Sequence, residues 1–253
     1  MSYVDLHLHL LPGIDDGARD VDEALAYARR MATEGVREAA VTPHICNDRR
    51  IEPGEVAGLT AQLQGAIDAE GLGVRLHPGG ELHPRRAGHL GDDELELLAQ
   101  GPAGRRWLLL EAPFAGIDGD FTELARDLQR RGFGVVVAHP ERAAGGIEEG
   151  MARLAPALEL GAVIQVNVCS LLGNHGLYVQ EAAVALLRSG SAHLLASDAH
   201  PGSREHTVRL GFDLALGAGA SSVQAWRLTQ VHPRFLLRRG LRPSTSAPAR
   251  VAA

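Results

Sequence analysis

Short apolar runs recur along the chain, separated by amphipathic stretches. Runs at Val4–Leu10, Ala39–Thr42, Val74–Leu82, Trp107–Ala112, Val135–Ala138, Ala162–Val168 and His193–Ala196 predict strands. Several are continuous rather than alternating, as in "RRWLLLEA" and "GVVVAHP". Parallel strands buried on both faces read this way. Between the runs lie helical patterns such as "DVDEALAYARRMATEG". There Asp20 is placed to cap with Glu23, Leu25, Ala28, Met31 and Ala32 form an apolar stripe, and Gly35 ends the helix. The stretch "DFTELARDLQRRG" repeats the design, with Gly132 as the stop. About seven β-α units closing into one α/β barrel follow from this pattern, over residues 1–240. The Pro/Ser/Ala-rich stretch over 241–253, "LRPSTSAPARVAA", reads as a loose tail.

The first run carries an anomaly. Asp5, His7 and His9 alternate with Val4, Leu6, Leu8 and Leu10. On a strand the two imidazoles point the same way, about 7 Å apart, so they can converge on one divalent metal. A strand end with solvated histidines is the plainer alternative.

Composition narrows the class. Apolar residues make up 45% and charged residues 22% of 253, enough for a substantial core. The formal net charge of −6 argues against general nucleic-acid binding. The N-terminus lacks a signal-peptide pattern, and no apolar run is long enough for a membrane span. Two distant thiols, Cys46 and Cys169, make a disulfide framework unexpected and fit a reducing cytoplasm. All 25 Lys+Arg residues are arginine. Schiff-base chemistry, a Walker lysine and a carbamylated-lysine metal bridge are therefore closed to this chain.

Metal-ligating residue types recur where the predicted strands end: His44, Glu81, Glu111, His139, Asp198 and His200, with Asp16 in the loop after the first run. In a parallel barrel those ends share one rim. With His7 and His9 they make a ring of nine. Each has a bland reading alone, but burying so many without neutralisation costs several kcal/mol per unpaired charge. Carboxylates and imidazoles without thiolates suit Mn²⁺, Fe²⁺ or Zn²⁺.

The stretches "DLHLHLLPGIDDGA", "VTPH", "GGELH", "LLLEAPF", "VVAHPER", "QVN" with "SLLG", and "ASDAH" run in order over about residues 3–205. Together they resemble the polymerase and histidinol phosphatase (PHP) family of metallophosphoesterases, and within it the bacterial tyrosine-protein phosphatases of capsule and exopolysaccharide gene clusters. The resemblance implies a distorted (β/α)7 barrel with three divalent metal ions, Mn²⁺ first, with Fe²⁺ or Zn²⁺ open. His7, His9, Glu81 and Asp198 would bind the first ion. Glu81 would bridge to the second with Glu111 and His139, and Asp16, His44 and His200 would hold the third. It also implies hydrolysis of protein phosphotyrosine by a metal-activated hydroxide, with a tyrosine autokinase as the partner.

Arginine offers planar bidentate donors to a phosphoryl group. Arg142, in "HPER", is the first candidate and Arg204 the second. Arg204 lies one residue short of the spacing the resemblance leads one to expect, and the following prolines are missing. A cysteine-dependent route is excluded, because C-x5-R would need arginine where Glu52 and His175 stand. Cys169 is expected to pack. His77, His83, His89, His175, His193, His206 and His232 are expected to lie outside the chemistry, and Arg49 and Arg50 are either substrate contacts or solvated charges. The alternatives are another PHP phosphomonoesterase acting on histidinol phosphate, an amidohydrolase-like barrel, and a metal-binding module without catalysis.

Overall fold

The computed structural model describes residues 2–48 and 51–244. Arg49, Arg50 and residues 245–253 of the expected tail lie outside the described residues. Nine strands form in chain order: β1 (Tyr3–Asp5), β2 (Val36–Val41), β3 (His44–Ile45), β4 (Arg75–Pro78), β5 (Glu81–Leu82), β6 (Trp107–Glu111), β7 (Gly134–Ala138), β8 (Val163–Asn167) and β9 (Leu194–Ala196). All pair in parallel. They make a three-stranded sheet, β1-β2-β4, and a six-stranded sheet, β3-β5-β6-β7-β8-β9. Helices lie between most successive strands, the crossovers that parallel pairing demands.

All seven predicted runs contain strands, but three differ in extent. The second starts earlier, at Val36, and a further short strand, β3, follows beyond its end, while the third is split into β4 and β5. Thr42–Pro43 separates β2 from β3, where Pro43 has no N–H to donate, and Gly79–Gly80 separates β4 from β5. Backbone bonds nevertheless carry the pairing across both breaks, from Gly79 N to Val41 O (3.0 Å) and from Glu81 N to Pro43 O (3.0 Å). The first run is shorter than expected. Its ladder ends at Asp5, and beyond it only Leu8 makes a parallel bridge, to Ala199.

Strand alternation sorts the core into two clusters. Val4, Leu6, Ala40, Trp107, Leu109, Val136, Ala138 and Leu194 pack together in the smaller one. Leu108, Leu110, Val135 and Val137, their sequence neighbours, join the helices in a cluster running from Leu8 to Leu228. The first run changes cluster between Leu6 and Leu8, so its alternation is not unbroken as expected. Glu111 continues the Trp107–Leu109 face, and Glu81 pairs in register with Leu109, which brings both carboxylates to the same side.

The helix over Val21–Thr33 starts as predicted, with Asp20 accepting from Glu23 N (2.9 Å). The Glu23 carboxylate reaches back one residue further, to Arg19 N (2.7 Å). Its buried face is Ala24, Tyr27, Ala28 and Met31, while Leu25 and Ala32 flank it half-buried. In the helix over Gly119–Arg130 the cap is Asp118, accepting from Phe121 N. Gly35 and Gly132 both take left-handed φ, 81° and 98°, just past these helices. At the other end, Leu241 N donates to Arg105 O (3.0 Å) and Ser244 N to Leu160 O (2.8 Å).

Candidate metal centre

All nine candidate ligands meet at the C-terminal ends of the strands. Their donor atoms fall into four overlapping groups: His7, His9 and Asp198; His7, Glu81 and His139; His44, Glu81 and Glu111; and His9, Asp16, His44 and His200. The set differs from the implied one in that His9 reaches the Asp16 group, and His44 shares Glu81 with Glu111. His7 and His9 are fully buried, and their Nε2 atoms face each other at 3.2 Å.

The donors fit bound cations. Glu81 Oε2 is buried without a hydrogen bond. Yet it is surrounded by His7 Nε2 (3.4 Å), His9 Nε2 (3.4 Å) and His44 Nδ1 (2.9 Å). His139 Nδ1 is also buried without a partner. Buried donor atoms that converge on shared points without hydrogen-bond partners are what an ion would satisfy.

Electrostatics tell the same story. Burial disfavours ionised Glu81 and Asp198, but His7 and the neighbouring imidazoles outweigh it and hold both carboxyls well below the usual range. Burial and the Glu81 charge push Glu111 up to about 7. Burial works against protonation of His44, yet Glu81 and Asp16 raise it to about 10. His7 and His9 are raised too, against their burial, by surrounding carboxylates. Asp16 is held far below its ordinary value by hydrogen bonding to His200 and His44.

Two ligand positions carry left-handed backbone, His139 (φ 37°) and Asp198 (φ 48°), the non-glycine cases among the described residues. Such conformations cost about 1–3 kcal/mol each and collect where the surroundings impose them.

The arginines come to the same cleft. Arg142 donates to Asp198 Oδ2 (3.1 Å), and its guanidinium lies 4.6 Å from the Phe114 ring centre. Arg204 Nη2 sits 2.7 Å from His200 Nδ1 and 3.5 Å from Asp198 Oδ1. Both line a cleft of about 100 Å³ together with Asp16, His44, Glu81 and Glu111.

Several supporting residues were not predicted. Asp15 accepts from His9 Nδ1 (2.7 Å) and from His44 N (3.1 Å), orienting one ligand and anchoring another. Gln165 Oε1 accepts from His7 Nδ1 (3.0 Å), Gln165 Nε2 donates to Asn167 Oδ1 (2.7 Å), and Asn167 Nδ2 donates to Asp198 Oδ2 (2.7 Å). Buried Asp5 accepts from Ser197 N (3.0 Å), next to Asp198. The available signal was "QVN", two polar residues at strand spacing within an apolar buried run. Of the histidines set aside, His175 lies 3.2 Å from Cys169 Sγ. Burial pushes the Cys169 thiol up to about 12, which does not suit a nucleophile. Both cysteines are free.

Residues 3–210 match the family model described as capsular polysaccharide synthesis, CpsB/CapC. The tyrosine-protein phosphatase YwqE of Bacillus subtilis (strain 168) is 32% identical over 198 residues, 78% of this chain and 77% of that protein. The putative tyrosine-protein phosphatase CapC of Staphylococcus aureus is 30% identical over 198 residues, 78% of this chain and 76% of that one. A solved structure from work on YwqE of Bacillus subtilis and CpsB of Streptococcus pneumoniae, described as unique metal-dependent tyrosine phosphatases, superposes with a TM-score of 0.78. It is 26% identical and covers 96% of this chain and 100% of its own. The phosphotriesterase homology protein of Escherichia coli, at 15% identity and a TM-score of 0.58, shares the fold. Seven strand runs, a strand-end ring of imidazoles and carboxylates, and a family match across most of the length lead to one assignment: the chain belongs to the CpsB/CapC capsular polysaccharide synthesis family.

Proposed function

We propose that the chain is a metal-dependent protein-tyrosine phosphatase serving capsule or exopolysaccharide synthesis. Its substrate would be a phosphotyrosine protein, with a tyrosine autokinase as the partner and the cytoplasm as its setting. The observation that carries this reading is the junction of the nine donors with Arg142 and Arg204 on one small cleft, in a family whose Bacillus subtilis member is a tyrosine-protein phosphatase. No helix among the described residues is long and apolar enough to cross a membrane.

His7, His9, Asp198, Glu81, Glu111, His139, Asp16, His44 and His200 would hold three divalent ions, Mn²⁺ in the first instance. When bound, such ions lower the pKa of water and neutralise phosphoryl oxygens. The chain's own residues supply the remainder. Asp15 and Gln165 fix the ring orientations of His9 and His7. Arg142, ordered between Asp198 and Phe114, offers its remaining N–H donors to the phosphoryl oxygens at the cleft mouth, and Arg204 does so from the opposite loop. A phenolate, whose conjugate acid titrates near about 10, leaves without a strong general acid. The two sheets are read as one distorted seven-unit barrel, a reading supported by the Leu8–Ala199 bridge and by Thr42 N donating to Leu8 O (2.8 Å).

The Arg142→Ala variant tests the assignment. Losing a charged donor to the reacting group should lower turnover of a phosphotyrosine peptide about 10²–10³-fold. Metal content by mass spectrometry should stay at the wild-type value. Metal loss in the variant, or undiminished turnover, would remove Arg142 from the phosphate site.

A further inference from the structure

Phe114 occupies a corner that packing does not explain. It lies three residues after Glu111, in a turn closed by Gly116 N donating to Pro113 O (3.0 Å). Its own carbonyl accepts from Ala144 N (3.0 Å), which ties the turn to the loop that follows Arg142. Turn corners ordinarily take Pro or small polar residues, yet here a large apolar ring stands 52% exposed. That ring runs nearly parallel to the His139 imidazole, 19° apart in plane and 6.0 Å between centres. The Arg142 guanidinium lies 4.6 Å from its centre.

Two hollows meet at this side chain. One is the ligand cleft of about 100 Å³. The other is a groove of about 830 Å³ whose lining includes His83, His89, Phe121 and Leu124. Phe114 is common to both among the described residues. The small hollow has room for a compact anionic group, so whatever carries that group must pass Phe114 to reach the groove.

We propose that Phe114 is a specificity-determining residue that recognises the phenyl ring of the phosphate ester. The ring lies against its exposed surface while the phosphoryl group enters the cleft, and the flanking peptide runs into the groove beside His83 and His89. Aromatic pairs gain more than their buried area alone supplies. A phosphoserine side chain has no ring to lay against Phe114. This inference rests on the phosphotyrosine reading and names the contact that would discriminate within it.

The test compares wild type, Phe114→Ala and Phe114→Trp in two ways. Turnover of phenyl phosphate is set against that of glycerol 2-phosphate, and calorimetric binding of phenylphosphonate against that of methylphosphonate. Dividing variant by wild type for each ligand removes differences in leaving group. The Phe114→Ala variant should lower the aryl-to-alkyl ratio of kcat/KM about 3- to 10-fold, mainly through KM. It should lower the phosphonate binding ratio by a similar factor, and Phe114→Trp should restore both. An equal loss on aryl and alkyl ligands would overturn the proposal, leaving Phe114 as a support for Arg142, and so would an unchanged ratio. If wild type hydrolyses neither ester, the phosphatase reading fails on its own, while the phosphonate ratio still decides the ring contact.

Discussion

Asp15 and Asp16 stand side by side in "GIDDGA" and take different roles. Asp16 is half exposed and reaches His44 Nε2 (3.4 Å) and His200 Nε2 (3.5 Å), as expected of a candidate ligand. Asp15 is turned inward, bound to His9 and to the backbone N–H groups of Gly17 and His44. The second contribution was not legible, because which of two adjacent acids faces inward depends on the loop's path and not on spacing. The gathering of the nine candidate ligands was legible because most sit at or just past the end of a run, a place that topology converts into proximity. The Gln165–Asn167 relay was half legible, since its polar positions stand out on an apolar strand but their partners are 158 and 31 residues away. Asp15→Asn keeps the shape while removing the charge behind His9. Metal affinity measured against a competing chelator should fall about 10–100-fold. Unchanged affinity would show that His9 needs no anionic support.

Among the elements, the loop from Leu10 to Ala18 has little tolerance for added bulk. Gly13 N donates to Ala18 O (2.8 Å) and Ala18 N to His9 O (3.3 Å), folding the loop back onto the segment that carries His7 and His9. A Cβ on Gly17 would meet His9 O at 2.1 Å and His9 Cβ at 2.7 Å, and neither is a flexible chain end. Gly17→Ala should therefore push away the segment holding Asp15 and Asp16, destabilising the protein by about 1–3 kcal/mol and lowering its metal content. A variant with wild-type melting temperature and metal content would contradict this close approach. At this scale the repeating strand-helix order was legible from apolar runs and caps. The short strand β3 beyond Pro43 and the break at Gly79–Gly80 were not, because two residues carry no readable period and the ladder lapses at Gly79–Gly80 without ending the pairing. The early end of β1 was hidden for a related reason. Alternation continues through His9 in the sequence, although the backbone changes cluster between Leu6 and Leu8.

For the whole molecule, fold and site form one electrostatic unit. Nearly every strand contributes a ligand or its support, so the metal-free chain gathers buried carboxylates that are balanced by protonated imidazoles. His44, raised to about 10, illustrates the sign. Its stabilising contribution without metal is complete below the unfolded value of about 6.5 and is lost as pH rises toward 10. A metal ion takes the deprotonated ring, so loading must expel protons and affinity must rise through the same window. Titrating metal-free protein with Mn²⁺ at neutral pH, in buffers of different ionisation enthalpy, should register net proton release. Uptake of protons, or none exchanged, would contradict protonation of His7, His9 and His44 in the metal-free site.

Substrate choice and metal dependence are tested most directly by phosphate release from a phosphotyrosine peptide by the Mn²⁺-loaded protein, with histidinol phosphate alongside at equal concentration, before and after chelation. Metal-dependent tyrosine phosphatase activity predicts faster release from the peptide, abolished by the chelator and restored by added metal. Preference for histidinol phosphate, or release that survives chelation, would contradict it.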